Sequence, residues 1–384
     1  MAVVIIIIIT TTFYSCENNP NDLGIQYVPA DDTTGVYFLD SEIDTMNITS
    51  NNYKLSVNDY LANIMLVGKY QSYDSKTLLK FYQIPTDLDS STIVSASLKL
   101  RYSNYYFKDK TGLTDFNVYK VISDLNYATI TADSISPSDF GSKTLGNYSG
   151  VVADSASISF PLENNLIKDW LEYAADTSYI NKNYGIAMFP NFSSTTIKGF
   201  YLLNDDVNYI PTINVIFTKN GMTDTLVLNT SLAVSINDAP LTSISPGTFL
   251  LQNGIAFRSI LNFDLTKLPS NIIINNALLQ FTTDKANSFI SENAVKSMII
   301  GMVTDSVNKK DSVFNDAFLL DSIVYSVSLN SVFQRWSNGV MPNLGITIRN
   351  IEERKNIDNY SIFSPTAADI TKRPRLKITY TPRR

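Results

Sequence analysis

The sequence has no histidine and a single cysteine, and these two absences remove much of the common catalytic repertoire. Without an imidazole there is no Ser-His-Asp or Cys-His nucleophile system and no His-ligated zinc. With one thiol there is neither a disulfide nor a thiolate cluster. Charge is scarce too, at 17% of residues, and 30 basic against 36 acidic side chains leave a net charge of −6. That balance argues against nucleic acid, whose phosphates demand a concentrated positive surface for counterion release. The seven glutamates are scattered without a matched pair, so the two-carboxylate chemistry of glycoside hydrolysis finds no support. Asp31-Asp32 and Asp205-Asp206 sit in polar stretches without EF-hand spacing, where solvated turns or an incidental calcium site are the default readings. The chain therefore reads as non-catalytic, with no metal site and no cofactor.

Long apolar runs are also missing, apart from Val3 to Ile9 near the start, which is too short to cross a bilayer as a helix. It reads as the core of a signal peptide over residues 1–15, with the small Ser15 placing cleavage before Cys16. Cys16 is then the lipidated first residue, and several acyl chains on one residue make a durable membrane anchor; the other reading of the same residues is a buried β-strand at Val3 to Ile9 with Cys16 a free thiol. Residues 16–35, rich in Asn, Asp and Pro, carry too little apolar surface to fold alone and read as a tether.

What the chain does contain is a duplication. LLKFYQIPTDLDSSTIVSASLKLRY at Leu78 to Tyr102 returns as ILNFDLTKLPSNIIINNALLQF at Ile260 to Phe281. Phe81 and Phe263 end the first strand of each block, at a shift of 182 residues (263 − 81). Trp170 and Trp336 follow at a shift of 166 (336 − 170), then Asn183-Tyr184-Gly185-Ile186 and Asn343-Leu344-Gly345-Ile346, then PTINVIF from Pro211 and PRLKITY from Pro374. Upstream, Ser56-Val57-Asn58-Asp59 is matched with Ser235-Ile236-Asn237-Asp238. A period this long means tandem domains rather than a solenoid. The expected division is 36–221 and 222–384, with the polar, glycine-containing TKNGMTD at Thr218 to Asp224 as the link. On that division, fragments 33–221 and 222–384 should each fold alone.

The fold class follows from the periodicities. Leu98, Leu100 and Tyr102 alternate with Lys99 and Arg101, a period of two that packs one face of a strand and solvates the other. Similar runs recur at 116–122, 157–162, 185–189 and 211–217. Many short strands between turn-rich segments predict an all-β chain of two tandem jelly-roll-like antiparallel β-sandwiches. One short helix is expected in each, because Leu166, Ile167, Trp170, Leu171 and Ala174, and again Val332, Phe333 and Trp336, recur at helical spacing. Both tryptophans lie on those apolar stripes and are expected in the cores.

The stretch best suited to binding is Tyr102-Ser103-Asn104-Tyr105-Tyr106-Phe107-Lys108, where rings mix with hydrogen-bonding groups beside Lys99 and Arg101. Tyr105 and Tyr106 offer stacking planes, and Lys99 and Arg101 offer cations suited to a polysaccharide, above all an acidic one. The cluster is confined to the first copy: the second continues as Thr282-Thr283-Asp284-Lys285-Ala286-Asn287-Ser288 with no ring until Phe289. A tyrosine-rich strand edge with no ligand is the other reading of the same residues. Under the binding reading, replacing Tyr105 and Tyr106 by alanine should abolish binding with little loss of stability.

On the LLKF to SASLKL block with its copy, the Asn-X-Gly-Ile strand and the closing Pro-X-Ile/Leu strand, each half resembles the DNRLRE-type β-sandwich family, which includes polysaccharide-binding modules of secreted bacterial proteins. The resemblance covers residues 55–219 and 232–380. The start of the chain, with Asp22-Leu23-Gly24 soon after Cys16, also resembles uncharacterised surface lipoproteins of the Bacteroidota. Together these imply a lipoprotein on the bacterial outer membrane, exposed at the cell surface, whose partner is a polysaccharide or surface glycan. The alternative is a structural or adhesion lipoprotein that docks envelope or partner proteins without binding glycan.

Overall fold

A computed structural model describes residues 35–44, 46–60, 62–202, 206–241 and 244–383. The expected leader, Cys16 and nearly all of the tether lie outside the described residues. The chain is all-β. Its first strands are β1 (Tyr37–Asp40), β2 (Ile48–Lys54), β3 (Ile64–Tyr70), β4 (Tyr73–Phe81), β5 (Thr92–Phe107), β6 (Thr114–Val121), β7 (Phe140–Gly150) and β8 (Ser157–Leu162). Helix α1 (Asn164–Ala175) precedes β9 (Ile186–Pro190), β10 (Ile197–Tyr201), β11 (Thr212–Lys219) and the long β12 (Met222–Asp238). Then come β13 (Thr248–Gln252), β14 (Phe257–Phe263), β15 (Ile272–Thr282), β16 (Ser297–Asp305), β17 (Lys310–Leu319) and β18 (Val324–Ser328). Helix α2 (Asn330–Ser337), β19 (Ile346–Asn350), β20 (Asn359–Phe363) and β21 (Arg375–Pro382) complete it.

Hydrogen bonding gathers the strands into a 10-stranded and an 11-stranded sheet, sandwich-like, each folded over its own core. The first core holds Phe81, Leu98, Leu100, Phe116, Trp170 and Ile213 among others. The second holds their counterparts, such as Phe263, Leu279, Phe281, Trp336 and Leu376. Both tryptophans are core residues, as expected: Trp170 packs on Phe81 with ring centroids 5.7 Å apart, and Trp336 on Phe263 at 6.1 Å.

The repeated motifs have repeated jobs. Asn183 Nδ2 donates to the Phe81 carbonyl at 2.8 Å, and Asn343 Nδ2 to that of Phe263 at 2.8 Å. Gly185 and Gly345, at φ +101° and +88°, follow those asparagines, and a Cβ there would stand 2.2 Å and 2.5 Å from the carbonyl oxygens of Leu79 and Leu261. The motif therefore pins β9 and β19 to the ends of β4 and β14. The SASLKL block likewise hides a bulge: pairing with the closing strand slips between Ile216 and Phe217 in one copy and between Ile274 and Asn276 in the other. At each slip the first residue of the following helix seals the backbone. Asn164 Nδ2 reaches the carbonyls of Ile93 and Val94 at 3.1 Å each, and Asn330 Oδ1 accepts from Ala277 N at 2.6 Å. The two asparagines stand 166 residues apart (330 − 164), the shift of the tryptophans.

The two sheets do not follow the expected division at 221/222. Strand β12, at the start of the expected second domain, pairs with β11 through residues 222–229 and with β4 through residues 230–238. It thus closes the first sandwich. The N-terminal strands, expected in the first domain, close the second: β1 pairs with β21 and β2 with β14. Phe81 faces Thr230 and Phe263 faces Ile48, so Thr230 and Ile48 are equivalent at the same shift of 182 (230 − 48). Each copy in the sequence begins with a closing segment, and each closing segment serves the other copy. By that register the match of Ser56–Asp59 with Ser235–Asp238 is also corrected. Ser235 faces Thr77, whose counterpart Ser259 faces Asn52, so Asn52 is the true equivalent. The two matched tetrads are instead neighbours, with Asn237 Nδ2 donating to Asp59 Oδ2 at 2.8 Å. The two tetrads share a strand-end sequence but not a position in the fold.

Candidate functional site

The two halves meet along a joint with its own apolar cluster, in which Leu66, Tyr73, Phe107 and Ile197 of the first half pack with Leu250, Ile255, Phe257 and Ile357 of the second. Charged groups surround it. Arg258 grips Glu353 through two bonds of 2.7 and 2.6 Å, and Lys54 pairs with Asp238. The loop 351–358, IEERKNID, runs through this joint with Glu352, Glu353 and Asp358 all buried.

The tyrosine stretch ends at this joint. Strand β5 alternates as expected up to Tyr102, with Leu98, Leu100 and Tyr102 buried. At Asn104 the backbone turns to φ +67°, and the register against β10 slips between Lys198 and Phe200. A bulge of this kind re-aims the side chains that follow it. Tyr105 and Tyr106 consequently turn toward the second half. The Tyr105 hydroxyl donates to Asp358 Oδ1 at 3.0 Å and accepts from Ile357 N at 3.1 Å. Burial, with the Asp358 carboxylate adding to it, pushes the Tyr105 phenol well above its ordinary range. Asp358 also accepts from the amide and hydroxyl of Ser291, at 2.8 and 2.6 Å, yet burial still raises its carboxyl. Tyr106 lies edge-on to Phe289 at 5.6 Å, and Phe107 meets the same ring at 5.2 Å.

These contacts explain why the copies differ after the shared block. The rings present only in the first copy meet the first ring of the second copy's divergent segment, and together they build the joint. Tyr105 is a pin between halves, so the expectation that its removal leaves stability nearly intact is corrected.

Beside the joint opens a cleft of about 760 Å³, lined by residues that include Asn104, Tyr106, Lys110, Asp154, Glu292 and Asn356. Tyr105 also borders it. Lys110 pairs with Asp154 at 2.7 Å and Lys355 with Glu352 at 3.1 Å, so both wall cations are neutralised while Glu292 adds a further carboxylate. Beneath Tyr106 the ammonium of Lys198, a fully buried residue, lies 5.1 Å from the Tyr102 ring and 5.5 Å from that of Tyr106, and it donates to the Lys110 carbonyl. Burial brings its pKa down to about 8.

Lys99 and Arg101 are not brought into this cleft. Lys99 sits between Thr212 and Ser159 of the flanking strands. The Arg101 guanidinium lies over the Tyr209 ring at 5.1 Å. The four residues grouped by sequence proximity therefore divide, with the tyrosines at the cleft and the cations on the flank. Sequence reasoning missed Lys198, Asp154 and the 351–358 loop, because a run such as Glu352-Glu353-Arg354-Lys355 reads as a solvated turn. Among the described residues no three His, Cys, Asp or Glu side chains converge as metal ligands, and no helix is long and apolar enough to cross a membrane. Asp206 caps a short turn by accepting from Asn208 N at 2.9 Å.

No family model matches the chain, and no curated protein does. Among solved structures, one of the Macrobrachium rosenbergii nodavirus is similar at 8% identity, over 94% of this chain and 93% of that one, with a TM-score of 0.14. A likeness at that score carries no argument about fold or function.

Proposed function

We propose that the chain is a non-catalytic lipoprotein of the bacterial outer membrane, anchored through Cys16 and exposed at the cell surface, whose cleft between the sandwich halves binds an extracellular polysaccharide or surface glycan. The supporting observation is the cleft itself, where the Tyr106 ring stands among amide, carboxylate and ammonium groups. A ring face beside a few fixed polar groups is what a sugar requires. With Lys110 and Lys355 both engaged by carboxylates and Lys99 and Arg101 outside the cleft, the ligand class is a neutral, hydroxyl-rich glycan in place of the acidic one that the sequence suggested. The resemblance to the DNRLRE-type family points the same way, with jelly-roll-like halves as its expected architecture.

The test is a glycan array with the wild-type protein and Tyr106→Ala, accompanied by thermal melting. The reading expects binding to a neutral glycan that falls by about fivefold in Tyr106→Ala, one stacking contact being worth roughly 1 kcal/mol, with the melting transition retained. No glycan retained at millimolar concentration, or undiminished binding by the variant, refutes it. The structural or adhesion reading is favoured by a different observation, the shared apolar cluster that fixes the two halves together, and it is what an empty array leaves standing.

A further inference from the structure

The closing segments supply an interaction that a single chain does not exhaust. The first sandwich is closed by β12, the segment that follows it in the sequence, whereas the second is closed by residues 37–54, which lie at the other end of the described chain. The segment 37–54 closes the second sandwich from its edge, with Leu39, Met46 and Ile48 in that core. Among the described residues β1 pairs with β21 alone and β2 with β14 alone, so the segment leaves without breaking any other strand pairing. Its buried apolar anchors are few: Leu39, Met46, Ile48 and Tyr53. The link from β2 to the first residue of β3 is residues 55–63.

We propose that the groove formed by β14 and β21 also accepts residues 37–54 of a second copy of this chain, joining chains head to tail. In that arrangement each sandwich is closed by the segment that follows it along the assembly. The backbone pairs are the same as in the single chain, Ile48 with Phe263 and Tyr37 with Tyr380 among them. Because the donor segment and the acceptor groove are different surfaces of one chain, the contact is heterologous: two chains that exchange segments reciprocally close as a dimer, and one-way exchange propagates as an open chain. In the single chain the linked segment acts at an effective concentration on the order of millimolar, and the bonds of Lys54 to Asp238 and of Asp59 to Asn237 hold the crossing in place. Exchange therefore emerges where chains are crowded to a comparable concentration.

Thr49 and Asn262 are both exposed and face each other directly across β2 and β14, which suits a disulfide trap. The full chain carrying Cys16→Ser, Thr49→Cys and Asn262→Cys is refolded at roughly micromolar and roughly millimolar concentration, oxidised, and run on a non-reducing denaturing gel. The expected result is an internally bridged monomer at low concentration and, at high concentration, reducible species at whole-number multiples of the monomer mass, from the reciprocally exchanged dimer upward. Each single-cysteine variant stays monomeric, because the bridge across the groove needs both positions. A bridged monomer alone at both concentrations overturns exchange. Failure of the folded protein to bridge at all overturns the seating of 37–54 in this groove, and the proposal with it.

Discussion

Asp59 is 4% exposed at the crossing between the halves, with Asn237 on its Oδ2 and no hydrogen-bond partner on its Oδ1 among the described residues. Burial holds its carboxyl well above the ordinary value of 3.8, against the pull of Arg354 and the Asn237 bond and aided by Glu353. The sign follows from linkage. The folded state keeps a proton that the unfolded chain has released, so the stability this group lends is complete below 3.8 and is lost as pH rises through the raised value. Asp59→Asn keeps a carbonyl for Asn237 and removes the buried ionisation. It should therefore stabilise the protein by about 1 to 3 kcal/mol at neutral pH and by far less near pH 4. Melting temperatures at the two pH values check this, and an equal difference at both contradicts it. Nothing in SVND marks Asp59 as buried, since a polar tetrad at a strand end reads as a turn. Tyr105 was hidden for a similar reason: its partner Asp358 is 253 residues away.

At the scale of elements the sequence was more legible. The stripes around Trp170 and Trp336 became α1 and α2, with Leu166, Ile167, Leu171, Val332 and Phe333 buried as their spacing requires. The alternation of β5 held from Ala96 to Tyr102. It failed at Asn104, because a bulge changes the face of every residue after it, and a residue with positive φ is invisible to a count of alternating apolar positions. The duplicated block turned out to encode a bulged strand and the helix asparagine that seals it. Asn164→Ala and Asn330→Ala should each cost about 1 to 2 kcal/mol by leaving bulge groups unpaired, with the loss also evident as faster amide exchange around residues 93–96 and 274–277. Changes below about 0.5 kcal/mol in both variants, the range of ordinary surface substitutions, would return the asparagines to the surface.

For the whole molecule, composition and periodicity were enough for an all-β chain with two cores, because each half carries its own apolar alternation. The assignment of strands to sheets was not legible. A closing strand bears the same pattern whichever core it serves, and only the register, with Phe81 opposite Thr230 and Phe263 opposite Ile48, reveals the exchange. Cutting at 221/222 takes β12 from the first sandwich and β1 with β2 from the second. The direct measurement is chemical denaturation of two fragments followed by circular dichroism, one spanning residues 60–241 and the other 33–221. The closure described here predicts a single cooperative transition for 60–241, which retains β12, and a broad transition or none for 33–221, which carries β1 and β2 without their partners. Cooperative unfolding of 33–221 together with an unfolded 60–241 would contradict it.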